Sequence, residues 1–465
     1  MRRSALLDWP GAIAAPNAEG LADAAVPTHF GSPLREQAAL LEGRAVTALA
    51  CDVVAVSGPD RLSWLTTLSS QVHTALHPEH PGVEALILDA QGRIRHAYAA
   101  LDDGTATYLL TDAGRGPGLA DFLDSMRFML RVEVLPREDL AVLGSMGQGR
   151  QALESAALVV GALVGTWQDP WPGVVEGGTA YDVGLGSPER PFKHPGEGWA
   201  AGLVLVRADA VLEVAQAFLH GAGTAPSAAS AGVAAEAERG EACTGVSAAG
   251  GTAAAGMPAV PQPTTPSTGR RGLAGALAWE ALRLEAGRPR LAQEVDERAI
   301  PNELDWLRTA VHLSKGCYPG QETVARTLNL GRPPRRLSIL QLDGLGGELP
   351  AAGATVRLGE RTVGVVTSVA QHHELGPIAL ALLRRNTPLE AELLVEVAPA
   401  GAEAGGAKDG GAARDEPVPG VAVGLVVAAA QEPLVSVEGK ARVSPQERPG
   451  AGLRPVAATR PGLLR

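Results

Sequence analysis

The chain is poor in the residues that usually announce a function. Three cysteines in 465 residues exclude a disulfide scaffold. They also exclude a ferredoxin-type carrier, which needs four thiolates per cluster. Aromatic residues make up 3% of the chain, so each one is informative. Lysine is rarer still: Lys193, Lys315, Lys408 and Lys440 stand among 40 basic residues, the arginine bias of GC-rich coding. Positive charge is not in excess. The net charge of −11 argues against a general nucleic-acid binder, whose footprint is basic. No apolar run reaches the ~18–20 residues that span a bilayer, and 156–164 and 421–430 read as core segments. After Met1-Arg2-Arg3, the residues Asp8, Trp9 and Pro10 cut the apolar run short, so no secretory h-region follows. The expectation is a cytoplasmic protein with reduced thiols, no membrane partner and no nucleic-acid partner.

What is abundant is length, glycine and proline. At ~150 residues per domain the chain predicts two or three folded units. The 57 Gly and 35 Pro predict long linkers besides. Residues 1–36 read as a loose arm. A helix signal covers 58–72, with Asp60 as its cap and Leu62, Leu65, Leu68 and Val72 at helical spacing. Strand-like runs at 83–89 and 95–101 flank the turn Ala90-Gln91-Gly92, and 106–111 is a third. A helix is predicted at 118–126 and a strand at 128–135. This mixture indicates an α+β unit rather than strict βαβ repetition. Residues 222–270, which include Cys243, and residues 399–420 are Ala/Gly/Ser/Thr/Pro-rich and read as disordered insertions. Between them, 273–286 is a strong helix stopped by Gly287, and short apolar runs from 337 onward suggest a small β-barrel or sandwich. The predicted division is an arm (1–36), a first part (37–141), a second part (142–330), a C-terminal barrel (331–443) and a tail (444–465).

One segment is chemically distinctive: Lys315-Gly316-Cys317-Tyr318-Pro319-Gly320-Gln321-Glu322. It follows a predicted helix over 304–313, with Gly316 as terminator and Gly320 opening the next element. Glycines allow a tight turn and close approach of backbone to a ligand. The ammonium of Lys315, or the positive end of a following helix, would raise the thiolate fraction of Cys317. A buried cysteine acting as a small hydrophobe is the alternative. Other motifs weigh little. Gly144 to Gly149 has the wrong glycine spacing for a dinucleotide loop. The ten histidines show no metal-ligand spacing, so no metal site is predicted, and His372-His373 read as a solvated loop. The Trp167–Pro172 run reads as a Pro-stiffened surface or interdomain segment. Arg332 to Arg336 reads either as a holder of an anionic tail or as a solvated linker.

The K-G-C-Y-x-G-Q-E segment resembles the signature of the YgfZ-type folate-binding proteins, with seven fixed residues in an eight-residue window. These are relatives of the aminomethyltransferase (T-protein) of the glycine cleavage system and are linked to iron–sulfur cluster maturation. The run Trp279 to Pro289 resembles the family's helix ending in E-A-G-x-P, and Pro301-Asn302-Glu303 its P-x-E segment. Gly58 to Arg61, Gln91 to Ile94 and Leu130-Arg131 resemble the N-terminal half, and Gly364 to Ser368 a G-x-V-T-S barrel strand. The resemblance covers about residues 45–395. It implies two mixed α/β domains and a small C-terminal β-barrel arranged as a ring, with tetrahydrofolate or a one-carbon derivative in the central channel.

It further implies that Glu303 contacts the pterin, since a carboxylate accepts two hydrogen bonds from adjacent N–H donors. Trp279 would stack on the ring. Gln321 stands where T-protein relatives carry an arginine beside the ligand, and Tyr318 joins it as a ligand-binding candidate. Cys317 and Lys315 would carry the thiol chemistry. Two departures matter. Arg95 and His96 occupy the strand position where aminomethyltransferases have a folate-activating carboxylate, and Cys51 replaces a tryptophan found in some members. The resemblance therefore implies an accessory protein for [4Fe–4S] enzymes, with folate and iron–sulfur client enzymes or assembly factors as partners. The alternatives are a folate-dependent aminomethyl- or methyltransferase and a folate-binding regulator without thiol chemistry.

Overall fold

The computed structural model describes residues 2–16, 22–181, 193–221, 269–331, 333–344, 347–397, 425–436, 441 and 443–444. The expected insertions at 222–270 and 399–420 lie almost wholly outside the described residues, as do Cys243, Arg332 and nearly all of the tail.

After α1 (Pro33–Leu41) the chain forms β1 (Ala45–Leu49), β2 (Cys51–Ser57), α2 (Arg61–Leu68), β3 (Val83–Leu88), β4 (Ile94–Asp102), β5 (Ala106–Asp112), α3 (Gly116–Met126) and β6 (Glu133–Pro136). It continues through β7 (Leu140–Met146), α4 (Gln148–Val160), β8 (Leu163–Gln168), β9 (Ala201–Arg207), α5 (Val211–His220), β10 (Gly272–Ala274), α6 (Ala276–Glu285), α7 (Leu291–Glu294) and α8 (Gln321–Leu330). The last strands are β11 (Arg335–Leu342), β12 (Thr355–Leu358), β13 (Arg361–His372), β14 (Gly376–Arg384), β15 (Leu393–Glu396) and β16 (Val426–Pro433). They make an α+β architecture of two five-stranded sheets and a closed six-stranded barrel. One sheet has the order β3-β4-β5-β2-β6, the other β10-β1-β7-β9-β8, and the barrel β11-β14-β13-β12-β15-β16. Among the described strands only β1 with β10 pairs in parallel. Among the described residues no helix is long and apolar enough to cross a membrane.

Strand periodicity explains how the sheets are held together. On β2, Val54 and Val56 point to one side and pack with Leu65 of α2 and Leu119 and Leu123 of α3. Val53 and Ala55 point to the other side, into a core shared with β4, β7, β9, α6 and the outer face of the barrel. The barrel interior is a separate cluster of Val, Leu and Ala. A single residue, Ala50, separates β1 from β2, so one extended stretch passes from one sheet to the other. The faces of both sheets therefore meet across a common interior.

Several local expectations are corrected. Residues 304–313 are successive turns, not a helix. Asp305 sits at φ 58°, and its buried carboxylate holds Arg308 at 2.7 Å and His194 at 3.0 Å, which fixes the turn. Residues 273–286 divide into β10 and α6, because 272–274 pair with β1. The strand predicted at 128–135 begins only at Glu133, and Phe128 and Met129 stand exposed. Asp60 precedes α2, but its carboxylate turns to Arg131 rather than capping the helix. The arm is not loose over its described residues. Leu6 is fully buried, and the Pro27 and Thr28 carbonyls accept from the first N–H groups of α6, which lack a side-chain cap. Of the two readings of the 167–172 run the surface one fails, because Trp167 and Trp171 are buried, with Trp167 Nε1 donating to Val83 O at 3.0 Å and Trp171 Nε1 to Ala286 O at 2.8 Å. His372 ends β13, 1% exposed and facing Glu285 at 3.2 Å, so the histidine pair is no solvated loop.

Candidate functional site

Between the sheets lies a cavity of about 150 Å³. A water needs ~10–15 Å³ by this measure, so the space suits a small organic group rather than a few solvent molecules. Its walls are aromatic and ionic. Trp279 of α6 meets Trp199 edge to face, with centroids 5.3 Å apart, and Trp167, Trp306 and Tyr98 complete the aromatic lining. Five carboxylates and three guanidiniums line the rest.

The arginines come from one short segment. Gly287, at φ +63°, ends α6 where a Cβ would lie 2.5 Å from Leu434. The chain then runs extended through Arg288-Pro289-Arg290, and alternate residues of an extended run share a side. Arg288 pairs with Glu84 at 2.6 Å and Asp169 at 3.0 Å, and lies over the Trp171 ring. Glu84 also accepts from Trp306 Nε1 at 2.9 Å and from the Thr309 hydroxyl at 2.6 Å. Burial pushes the Glu84 carboxyl above its ordinary range, against the pull of Arg288. Arg290 is shared by Asp23, Asp112 and Glu280. Burial opposes the charge of Glu280, but Arg283 and Arg290 outweigh it and hold that carboxyl down to about 2. Arg283 also reaches Glu294 and the Ser368 hydroxyl, both at 3.0 Å. Thr367 and Ser368 in turn donate to Glu294. The G-x-V-T-S strand thus latches the barrel to the back of the cavity wall.

Strand β4 brings no carboxylate here. Ala97 and Ala99 face the cavity, Arg95 turns out to Asp89, and His96 packs on Phe122 of α3. The carboxylates arrive instead from the neighbouring strands, as Glu84 on β3 and Asp112 at the end of β5. Cys51 lines the same cavity, and burial, with Asp112 nearby, pushes its thiol up to about 12. It is therefore a thiol and not a thiolate at neutral pH.

Of the predicted site residues, only Trp279 lines this cavity. Glu303 is 1% exposed. Its Oε1 accepts from the Arg335 N–H and Nε, and its Oε2 from Arg335 Nη2 and the Ile300 N–H. Both oxygens thus join the 300–304 turn to the first barrel strand. Arg335 is consumed by Glu303 and Asp296, and Arg336 is buried with its Nη groups on carbonyl and amide oxygens. This pair therefore does not offer a free anion-holding surface.

Lys315, Tyr318 and Gln321 form a second cluster. The Lys315 ammonium donates to the carbonyls of Thr66 and Ser69 at the C-terminal end of α2, where the helix dipole favours a cation. It also lies 4.8 Å from the Tyr318 ring centroid. Burial lowers Lys315 to about 8 and raises Tyr318 to about 12. Gln321 Nε2 donates to Lys315 O at 3.4 Å. Cys317 is exposed. The glycines serve loop-to-loop packing. Gly320 caps α8 at φ +79°, and a Cβ there would meet Asp89 O at 2.6 Å and Gly92 Cα at 2.7 Å. The Gln91-Gly92 turn is therefore seated directly on the Cys317 loop. Among the described residues no cluster of three or more His, Cys, Asp or Glu could hold a metal ion.

No known protein-family profile matches the chain. A 98-residue stretch is 35% identical to the "Putative transferase At1g60990, chloroplastic" of Arabidopsis thaliana, covering 20% of this chain and 21% of that protein. A 67-residue stretch is 36% identical to an uncharacterized protein of Haemophilus influenzae, covering 14% and 24% respectively. The matches thus span about a fifth to a quarter of the curated relatives. Among solved structures, the glycine cleavage system aminomethyltransferase T from Bartonella henselae superposes with a TM-score of 0.58 over 94% of this chain and 97% of that one, at 15% identity. The chain has the fold of that aminomethyltransferase, including the C-terminal six-stranded barrel.

Proposed function

We propose that this chain is a tetrahydrofolate-binding accessory protein for the maturation or repair of [4Fe–4S] enzymes, acting in the cytoplasm with Cys317 as its functional thiol. The observation that carries the folate half is the cavity between the sheets. A flat indole, Trp279, lines a ring-sized space rimmed by carboxylates that outnumber the guanidiniums. A reduced pterin is flat and rich in N–H donors, so it matches stacking on the indole and acceptance by Glu84 and its neighbours. Glu303 acts at one remove, by bracing the turn against the barrel through Arg335.

The thiol half rests on the exposure of Cys317 and on Lys315. The lysine is held two residues away by the carbonyls at the end of α2, above the ring of Tyr318. With Cys51 kept protonated in the cavity wall, Cys317 is the described thiol open to a client enzyme or assembly factor. The test is complementation. In a strain deleted for this protein, the intact chain restores [4Fe–4S] enzyme activities, and Cys317→Ser does not. Normal activities in the deletion strain, or full rescue by Cys317→Ser, would sink the assignment of the thiol.

A folate-dependent aminomethyltransferase is the second reading. It is favoured by Glu84 and Asp112, which give the cavity carboxylates that β4 does not supply. Tetrahydrofolate-dependent turnover of a small methylated amine, abolished by Glu84→Gln, would establish it over the accessory role.

A further inference from the structure

The three carboxylates on Arg290 are not held alike. Asp112 Oδ1 receives Arg290 Nε at 3.0 Å, while its Oδ2 is fixed separately by the Ala292 N–H at 2.8 Å. Glu280 Oε1 receives Arg290 Nη1 at 2.7 Å, and its Oε2 is clamped by Arg283 Nε and Nη2. Asp23 has no second anchor among the described residues. Its two oxygens meet only Arg290, at 3.0 and 3.2 Å, and its side chain is the most exposed of the three. Removing Asp112 or Glu280 would strip a buried partner from a backbone amide or a second arginine. Removing Asp23 leaves Arg290 with two carboxylates still in place.

From this asymmetry we infer that Arg290 is the subsite for a carboxylate of the bound ligand, and that Asp23 of the N-terminal segment occupies it as a displaceable stand-in. Exchange of one carboxylate for another leaves the charge of the cavity wall unchanged, so the swap carries no net electrostatic penalty. The geometry gives the ligand a length as well. Glu84 lies opposite Ala99, Ala99 opposite Leu110, and Asp112 two residues beyond. With strands ~4.8 Å apart and a rise of ~3.4 Å per residue, the Glu84 and Arg290 ends are about 12 Å apart. A molecule with a donor-rich ring at one end and a carboxylate one aromatic spacer and an amide away fits both. This rests on the folate reading for the ring end only, because the carboxylate end is defined by Arg290 and Asp23 themselves.

Three probes separate the ends: N-benzoyl-glutamate carries the carboxylates without a pterin, 6-methyltetrahydropterin carries the ring without a carboxylate, and tetrahydrofolate carries both. Affinities are measured by calorimetry on the full chain, Asp23→Asn and Arg290→Gln, with Arg290→Lys as the milder variant and near-ultraviolet circular dichroism as the check on folding. Asp23→Asn is expected to bind benzoyl-glutamate and tetrahydrofolate about fivefold more tightly than the intact chain, the worth of one partly exposed ion pair. 6-Methyltetrahydropterin should be indifferent to the change. Arg290→Gln, or Arg290→Lys should the first not fold, should weaken only the two carboxylate-bearing probes. The inference is overturned if benzoyl-glutamate binds Asp23→Asn no more tightly than the intact chain, or if the carboxylate-free pterin gains equally. If benzoyl-glutamate behaves as expected while 6-methyltetrahydropterin does not bind and tetrahydrofolate binds no more tightly than benzoyl-glutamate, the folate reading fails and the carboxylate subsite stands.

Discussion

The cavity wall and the Cys317 loop treat charge in opposite ways. In the wall, each guanidinium is shared between carboxylates and most carboxylates are bonded twice, so the ionic groups form a fixed lattice around the cavity. At the loop, a half-buried ammonium has only carbonyls and an aromatic face for partners, and the thiol two residues on faces solvent. The lattice suits a rigid receptor, because its acceptors are already oriented and cost little to organise on binding. The loop suits a reactive group that must meet another molecule. The two regions thus differ in how their charges are held, and the Gly92 turn sits directly on Gly320 of the loop.

The sharpest way to break the lattice is Arg288→Ala. It leaves Glu84 and Asp169 buried without their cation, and loss of one partner from a buried pair costs about 3–5 kcal/mol. Urea unfolding should show that loss. A cost near zero would mean the wall relaxes and is not a fixed receptor. Cys317→Ser, by contrast, removes an exposed group and should leave the same unfolding curve within about 0.5 kcal/mol.

A pH-dependent effect belongs to Lys315. Its amine loses its proton at about 8 in the folded chain, below its ordinary value of 10.5, because burial disfavours the charge. Between those two values the unfolded chain binds more protons than the folded one, so stability rises with pH across that window. Below about 8 the burial penalty is present in full. Lys315→Met should flatten this rise, as read from urea midpoints between pH 7 and 10, and acylation of Lys315 should show a midpoint near 8. An acylation midpoint at the ordinary lysine value would place the ammonium in solvent and remove the contrast with the wall.

Much of the architecture was legible in the sequence, for reasons of periodicity. The apolar runs at 83–89, 95–101 and 106–111, bounded by turns, mark three strands that form in almost those bounds, and the apolar runs after 337 close into the barrel. The turns over 304–313 were not legible. Their apolar spacing mimics a helix, and what overrides it is the tertiary pairing of Asp305 with His194, 111 residues away in sequence. The site shows the same division. The glycine-rich Cys317 loop announces itself because its residue types are locally unusual. The cavity wall is assembled from β3, β5, the 167–171 run and the segment after α6, so no local window contains it. Besides Trp279, a sequence signal for it was the alternation of Arg288, Pro289 and Arg290 after the helix-ending glycine, which in an extended chain aims two guanidiniums to one side. Glu303 shows a related limit. Its motif position was informative, but its partner, Arg335, lies on the barrel and was invisible in sequence.

The most direct test of the central claim is an anaerobic calorimetric titration of the intact chain, Trp279→Ala and Cys317→Ser with tetrahydrofolate. The account predicts saturable one-to-one binding, weakened about tenfold or more by Trp279→Ala, in keeping with ~1–3 kcal/mol for stacking a heterocycle on an aromatic side chain. Cys317→Ser should bind as the intact chain does. Absence of binding by the intact chain, or equal affinity with and without the Trp279 indole, would contradict it.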